Sequence, residues 1–136
     1  MADLTRVVAD RLAPTRVITD REQFDDTSFP APWIVIDFPP PALAHDRWES
    51  SSFGRQTGWF QTTAVGESRA QAFRVHDERV VPRLLDWVPV VDGWPSVWPV
   101  RMMLDTARVL DGVSKLPDRR LVEVVMRWSW QAERTV

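Results

Sequence analysis

Cysteine is absent from the 136 residues, which removes disulfides, thiolate metal ligands and cysteine nucleophiles together. Tyrosine is absent too, and lysine nearly so. Of 17 Lys plus Arg residues only Lys115 is lysine, which leaves 16 arginines. The five glycines, Gly54, Gly58, Gly66, Gly93 and Gly112, never cluster, so the sequence holds no phosphate loop, dinucleotide fingerprint or nucleophile elbow. No apolar run approaches the roughly 18 residues of a membrane helix. The opening Met1-Ala2-Asp3-Leu4-Thr5-Arg6 alternates polar and apolar residues without the apolar stretch of a secretory signal, so synthesis in a cytoplasm is expected. A net charge of −2 offers no basic footprint for wrapping nucleic acid.

What the sequence does contain is an ordinary globular composition, 44% hydrophobic and 26% charged, with length enough for one core. A single domain over residues 1–136 is expected. Eight tryptophans stand out. This residue fills cores, and it is also enriched where chains bury surface against one another.

Leu4, Val8 and Leu12 recur at helical spacing, with Asp3 as a cap and Pro14 as a stop, so a short amphipathic helix is predicted. Val17 and Ile18 mark a brief strand between Thr15 and Thr19, and 20–32 reads as a loop. The run Trp33-Ile34-Val35-Ile36-Asp37-Phe38 has strand length and no alternation, as a strand covered on both faces does. Pro39-Pro40-Pro41 ends it. Residues 42–55 are irregular, with a strand conceivable at 47–51. Gln56 to Val65 is rich in strand formers. Ser68 with Gln71 three residues on forms a capping box opening a helix at Arg69. That helix carries Ala72, Phe73, His76, Val80 and Leu84 on one stripe, and Pro82 is expected to kink or end it.

Val88 to Pro95 reads as a loop pivoting at Gly93. Two strands follow as a long antiparallel hairpin. The first spans Val97 to Leu110 with a bend near Asp105. The second spans Leu121 to Gln131, with Val122, Val124, Met126, Trp128 and Trp130 on one face. Glu123, Val125, Arg127 and Ser129 occupy the other. The expected fold is α+β, a mainly antiparallel sheet with an N-terminal helix and one main helix packed on one face, in the order α-β-β-β-α-β-β.

Candidate chemistry is sparse. His45-Asp46 is half of a metal or acid–base site without the other half, because such sites need three or more convergent ligands. His76 falls on an apolar stripe, where a half-buried, hydrogen-bonded imidazole is expected. Asp25-Asp26, and Asp105 with Asp111, adjoin turns that favour aspartate for backbone reasons. Arg119-Arg120 is too small a patch for nucleic acid. No enzymatic activity, metal or cofactor is therefore expected.

One segment carries more. Phe60-Gln61-Thr62-Thr63-Ala64-Val65-Gly66-Glu67-Ser68-Arg69-Ala70-Gln71-Ala72 resembles a signature of tail-terminator proteins of long-tailed, siphovirus-type bacteriophages, especially those of actinobacterial hosts. There a strand ends in a T-x-x-G turn and S-x-x-Q-A opens the main helix. Pro32-Trp33-Ile34-Val35-Ile36 is similar to the family's early strand, and the helix, arm and two C-terminal strands agree in layout. The resemblance implies a structural virion protein in the tail neck. It would form a ring of copies of itself, six by the family pattern, on the end of the tail tube. The major tail-tube protein would lie on one side and a head-connector or stopper protein on the other, with DNA crossing the lumen without sequence readout. Under it, two interface patches are expected: Arg47, Trp48, Phe53 and Trp59 on the arm from His45, and Arg127, Trp128 and Trp130 on the last strand. The alternative for Trp128 and Trp130 is the chain's own core. Two rival readings remain, another neck or tail-completion ring protein and a small-molecule-binding α+β domain with a pocket at Trp33, Trp59 and Trp98.

Overall fold

The computed structural model describes residues 3–19, 30–38, 55–91, 93–94, 96–111 and 120–133. They form an α+β fold in which helices cover one face of a mixed, strand-dominated sheet. Helix α1 (Asp3–Leu12) is followed by β1 (Val17–Ile18), β2 (Trp33–Asp37) and β3 (Arg55–Gly66). Next come α2 (Arg69–Val75), a π-helical turn (His76–Val80) and α3 (Val81–Leu84). Strands β4 (Ser96–Val97), β5 (Arg101–Asp111) and β6 (Val122–Glu133) complete the series.

Across the sheet the order is β1-β2-β3-β6, and β6 then pairs with β4 and β5. All pairs are antiparallel except β1 with β2, which is parallel. The order differs from the expected one by the short β4. It pairs with the far end of β6, at Ala132 and Glu133, so the long strand expected from Val97 is divided at 98–100.

Strand β6 binds β3 along its whole length, from Val122 opposite Gly66 to Glu133 opposite Arg55. This register fixes which side chains meet. Ile34, Ile36, Phe60, Ala64, Val122, Val124, Met126 and Trp128 form the inner face and pack with Leu4, Val8 and Leu12 of α1. Ala72, Val75, Val80 and Leu84 from the second helical segment join the same core. The outer face carries a smaller cluster of Trp33, Val35, Val65 and Leu121. Both faces of β2 are therefore covered, as its continuous apolar run requires.

The strand-to-helix switch after β3 is built from three residues. Ser68 Oγ accepts the Gln71 amide at 3.1 Å, and Gln71 Oε1 accepts the Glu67 amide at 2.7 Å. The box thus reaches one residue further back than the usual form, which returns to the cap residue itself. Gly66 makes room for it: a Cβ there would lie 2.6 Å from the Ala72 nitrogen.

Pro82 does not end the helix. The Val81 amide reaches back to the His76 carbonyl across a wide turn, and Pro82 falls in the first turn of α3. The wider turn before it relieves the clash between its ring and the carbonyl four residues back, so the helix continues past the missing N–H. Helices α1 and α3 cap each other with arginine. Arg11 Nε donates to the Arg83 carbonyl at 2.8 Å, and Arg83 Nη1 donates to the carbonyls of Arg11 at 3.2 Å and Ala13 at 2.8 Å. Each cation thus meets the negative end of a helix. His76 is buried, and its Nδ1 has no hydrogen-bond partner among the described residues. The expectation of a satisfied histidine is corrected accordingly. Burial holds its pKa below the ordinary value, against a smaller opposing effect of Asp77.

Candidate functional site

The outer face of the sheet, toward the ends of β3, β5 and β6, opens into a groove of about 500 Å3 lined by Trp59, Trp98, Arg101, Met103, Ser129 and Gln131 among others. Register explains the grouping. Trp59 pairs with Ser129, and Ser129 pairs with Arg101, so the three point to one side of the pleat. Trp98 is held beside them by its amide, which donates to the Gln131 carbonyl at 2.9 Å.

Arg127 and Trp59, which the sequence reading assigned to two different patches, are brought together. The Arg127 guanidinium lies 4.2 Å from the centre of the Trp59 indole, and its Nε donates to Gln61 Oε1 at 3.4 Å. A cation over a tryptophan face is attracted by the ring quadrupole, and both members become stiffer for it. Arg101 is neutralised differently, by an ion pair with Asp86. Asp86 sits just past α3 with φ of 60°, a left-handed conformation that aspartate tolerates better than most residues. Its amide donates to the Val100 carbonyl at 3.0 Å, and Val100 donates to the Trp87 carbonyl at 2.8 Å. The turn after α3 is thereby stitched to the groove.

Several apolar side chains are exposed, Trp98 of the groove among them. Trp98 is 39% exposed and Val90 is 85% exposed, with Leu85 and Val88 also open to solvent. Among the described residues the groove lining contains no histidine, cysteine or carboxylate. Among the described residues no three His, Asp, Glu or Cys side chains converge. The arrangement offers aromatic and aliphatic surface with hydrogen-bonding groups around it, which suits binding.

Trp128 is a correction to the expected interface patch. It is 0% exposed in the chain's own core, and its Nε1 donates to the buried Thr62 Oγ1 at 2.9 Å. Trp130 is half-buried on the same face, packed against the core and directly across from Gly58. It also touches the groove, whereas Trp33 belongs to the separate outer cluster, so the pocket expected at Trp33, Trp59 and Trp98 contains only the last two. Arg47, Trp48 and Phe53, with His45 and the Asp25-Asp26 pair, lie outside the described residues.

Arg101, Met103 and Asp86 were not expected from the sequence. Met103 enters the groove at the point where β5 leaves its ladder, and Asp86 positions Arg101. The Asp at a helix exit was a usable signal for Asp86, while nothing in the sequence pattern marked Met103. In comparison with known proteins, no family model matches the chain, and a search of curated proteins returns no significant match.

Proposed function

We propose that this chain is a non-enzymatic structural subunit that assembles as a ring on the end of a phage tail tube. There it ends tube polymerisation and joins the tail to the head connector. The resemblance of residues 60–72 motivates the reading. The observation that carries it is the open aromatic groove, with Trp59 in its lining and Trp98 39% exposed beside it. Apolar patches of this kind mark surfaces that other proteins cover. A ring needs two different patches that meet head to tail. In this reading the groove with Trp59, Arg127 and Trp130 is one, and the arm bearing Arg47, Trp48 and Phe53 supplies the other. The partners are then copies of this chain, the major tail-tube protein and a connector or stopper protein, in the virion neck. DNA passes through the lumen without base contacts.

The test is tube-length control. Tail-tube protein polymerised with the wild-type chain should give capped tubes bearing a terminal ring in electron micrographs. A Trp59→Ala, Trp98→Ala double variant should leave tubes uncapped and overlong. Normal capping by that variant, or no association of the wild type with tubes, would overturn the reading.

The pairing of Trp59 and Trp98 in one groove also favours a second reading, a small-molecule site of the aromatic-lined kind. Light scattering and tryptophan fluorescence separate the two. A strict monomer, quenched by a metabolite and indifferent to tubes, supports the small-molecule site. Gene order separates a terminator from another neck protein, because a terminator gene lies just before the tail-tube gene.

A further inference from the structure

Strand β5 carries a feature that the groove does not use. Its inner edge pairs with β6 at Arg101–Met103 and again at Arg108–Asp111, and the register shifts between them. Residues 104–107 therefore oppose a single residue, Met126. Thr106 fills the gap: its hydroxyl donates to the Met103 carbonyl at 2.6 Å and accepts the Arg127 amide at 3.1 Å. A side chain thus stands where backbone would normally pair, so the β5 backbone arches away from β6. Leu104 is 72% exposed on this arch, and Asp105, Ala107 and Arg108 are exposed with it. No strand pairs with the outer edge of β5 among the described residues.

The charges on β5 divide in two. Arg101 is paired with Asp86, and Asp111 lies 4.0 Å from Arg69. The inner pair, Asp105 and Arg108, makes no ion pair among the described residues.

We propose that the β5 arch is a two-fold docking surface for a second copy of this chain. A strand laid antiparallel against its own copy must bring like faces together. Arg101 and Met103 share the outer face with Arg108 and Leu110, because their partners Ser129, Arg127, Val125 and Glu123 all lie on that face of β6. The shift across the arch therefore permits only pairings of an odd-numbered residue with an even-numbered one. One such pairing sets Asp105 opposite Arg108, Leu104 opposite Val109 and Met103 opposite Leu110, and the two-fold repeats each contact. A slip by one pleat period in either direction leaves Asp105 and Arg108 facing uncharged residues. Bulges usually guard an exposed edge against pairing. Here the two unpaired charges restrict that pairing to a copy of the same strand. The contact does not rest on the ring reading, which joins two different patches head to tail; the two surfaces share only the border residue Met103.

A charge-reversal series tests it on the full chain by sedimentation and light scattering across a concentration range. Thermal melts check that each variant folds. The wild type should dimerise, and Asp105→Arg or Arg108→Asp alone should weaken dimerisation by about tenfold or more, since each places like charges opposite one another twice. The double variant Asp105→Arg, Arg108→Asp should restore it. A wild type that stays monomeric at millimolar concentration overturns the proposal, as do single variants that dimerise normally or a double variant no better than the singles. Tube capping by the variants reports separately on the ring.

Discussion

Two glycines of β3 are both crowded, yet substitution should affect them unequally. At Gly66 an added Cβ would lie 2.6 Å from the Ala72 nitrogen and 3.0 Å from the Gln71 carbonyl carbon. Both are backbone atoms of the first turn of α2, which Ser68 and Gln71 hold in place. The turn must open or α2 must move, and α2 carries the buried Ala72 and Val75. Overpacking against atoms that cannot rotate away costs about 3 kcal/mol, the upper part of the usual range. For a domain of this size that is a fall in Tm of roughly 10 °C.

At Gly58 the added Cβ would meet the indole of Trp130 at 2.9 to 3.1 Å. Trp130 is half-buried and its ring can shift, so Gly58→Ala should cost about 1 kcal/mol. Urea denaturation of Gly66→Ala and Gly58→Ala, with slopes compared to confirm two-state behaviour, gives the ranking. Equal losses, or a larger loss at Gly58, would refute the claim that Gly66 is required by helix approach. It would also reopen the interpretation of the Gly-Glu-Ser turn as packing chemistry.

Other expectations follow from the buried polar groups. Trp128→Phe removes the bond to Thr62 and leaves a void, so stability should fall by about 2 to 3 kcal/mol, and adding Thr62→Val should recover part of it. Thr106→Val leaves the Arg127 amide without its acceptor and should cost about 1 to 2 kcal/mol in chemical denaturation while the fold persists. For His76 the sign is set by burial, which lowers its pKa from 6.5. The unfolded chain then binds the proton more readily, so stability is present above pH 6.5 and is lost as pH falls below it, by up to about 1.4 kcal/mol per pH unit. His76→Leu should flatten that part of the stability–pH curve measured by denaturant titration. A curve of unchanged slope would show that another group is responsible.

The elements legible in the sequence were those set by periodicity. The alternation of β6, the spacing of Leu4, Val8 and Leu12, and the unbroken run of β2 each implied the burial that is found. The alternation of β6 even placed Trp128 with Val122, Val124 and Met126, and the interface expectation ran against that pattern. What could not be read depends on single bonds instead of repeats. The β5 arch depends on one threonine hydroxyl, and the π turn on one missing proline N–H met by a longer reach to His76. Likewise the groove gathers Trp59, Trp98 and Arg101 through register, which is set by pairing across distant parts of the chain. Trp59 and Arg127 were singled out in the sequence but on separate patches; their meeting, like the exclusion of Trp33, required the cross-strand geometry.

The place of β6 in the sheet has a consequence for biosynthesis. Of the described strands it is the last to leave the ribosome, yet it stands between β3 and the β4–β5 edge and is the partner of all three. Until residues 122–133 have emerged, β3 presents twelve residues of bare ladder on one side, and β5 lacks its one partner among the described strands. Non-local closure of this kind is slow, and open strand edges invite wrong partners while it is pending. A nascent chain stalled short of Val122 should therefore be a strong client for chaperones, and release of β6 should be the step that retires them.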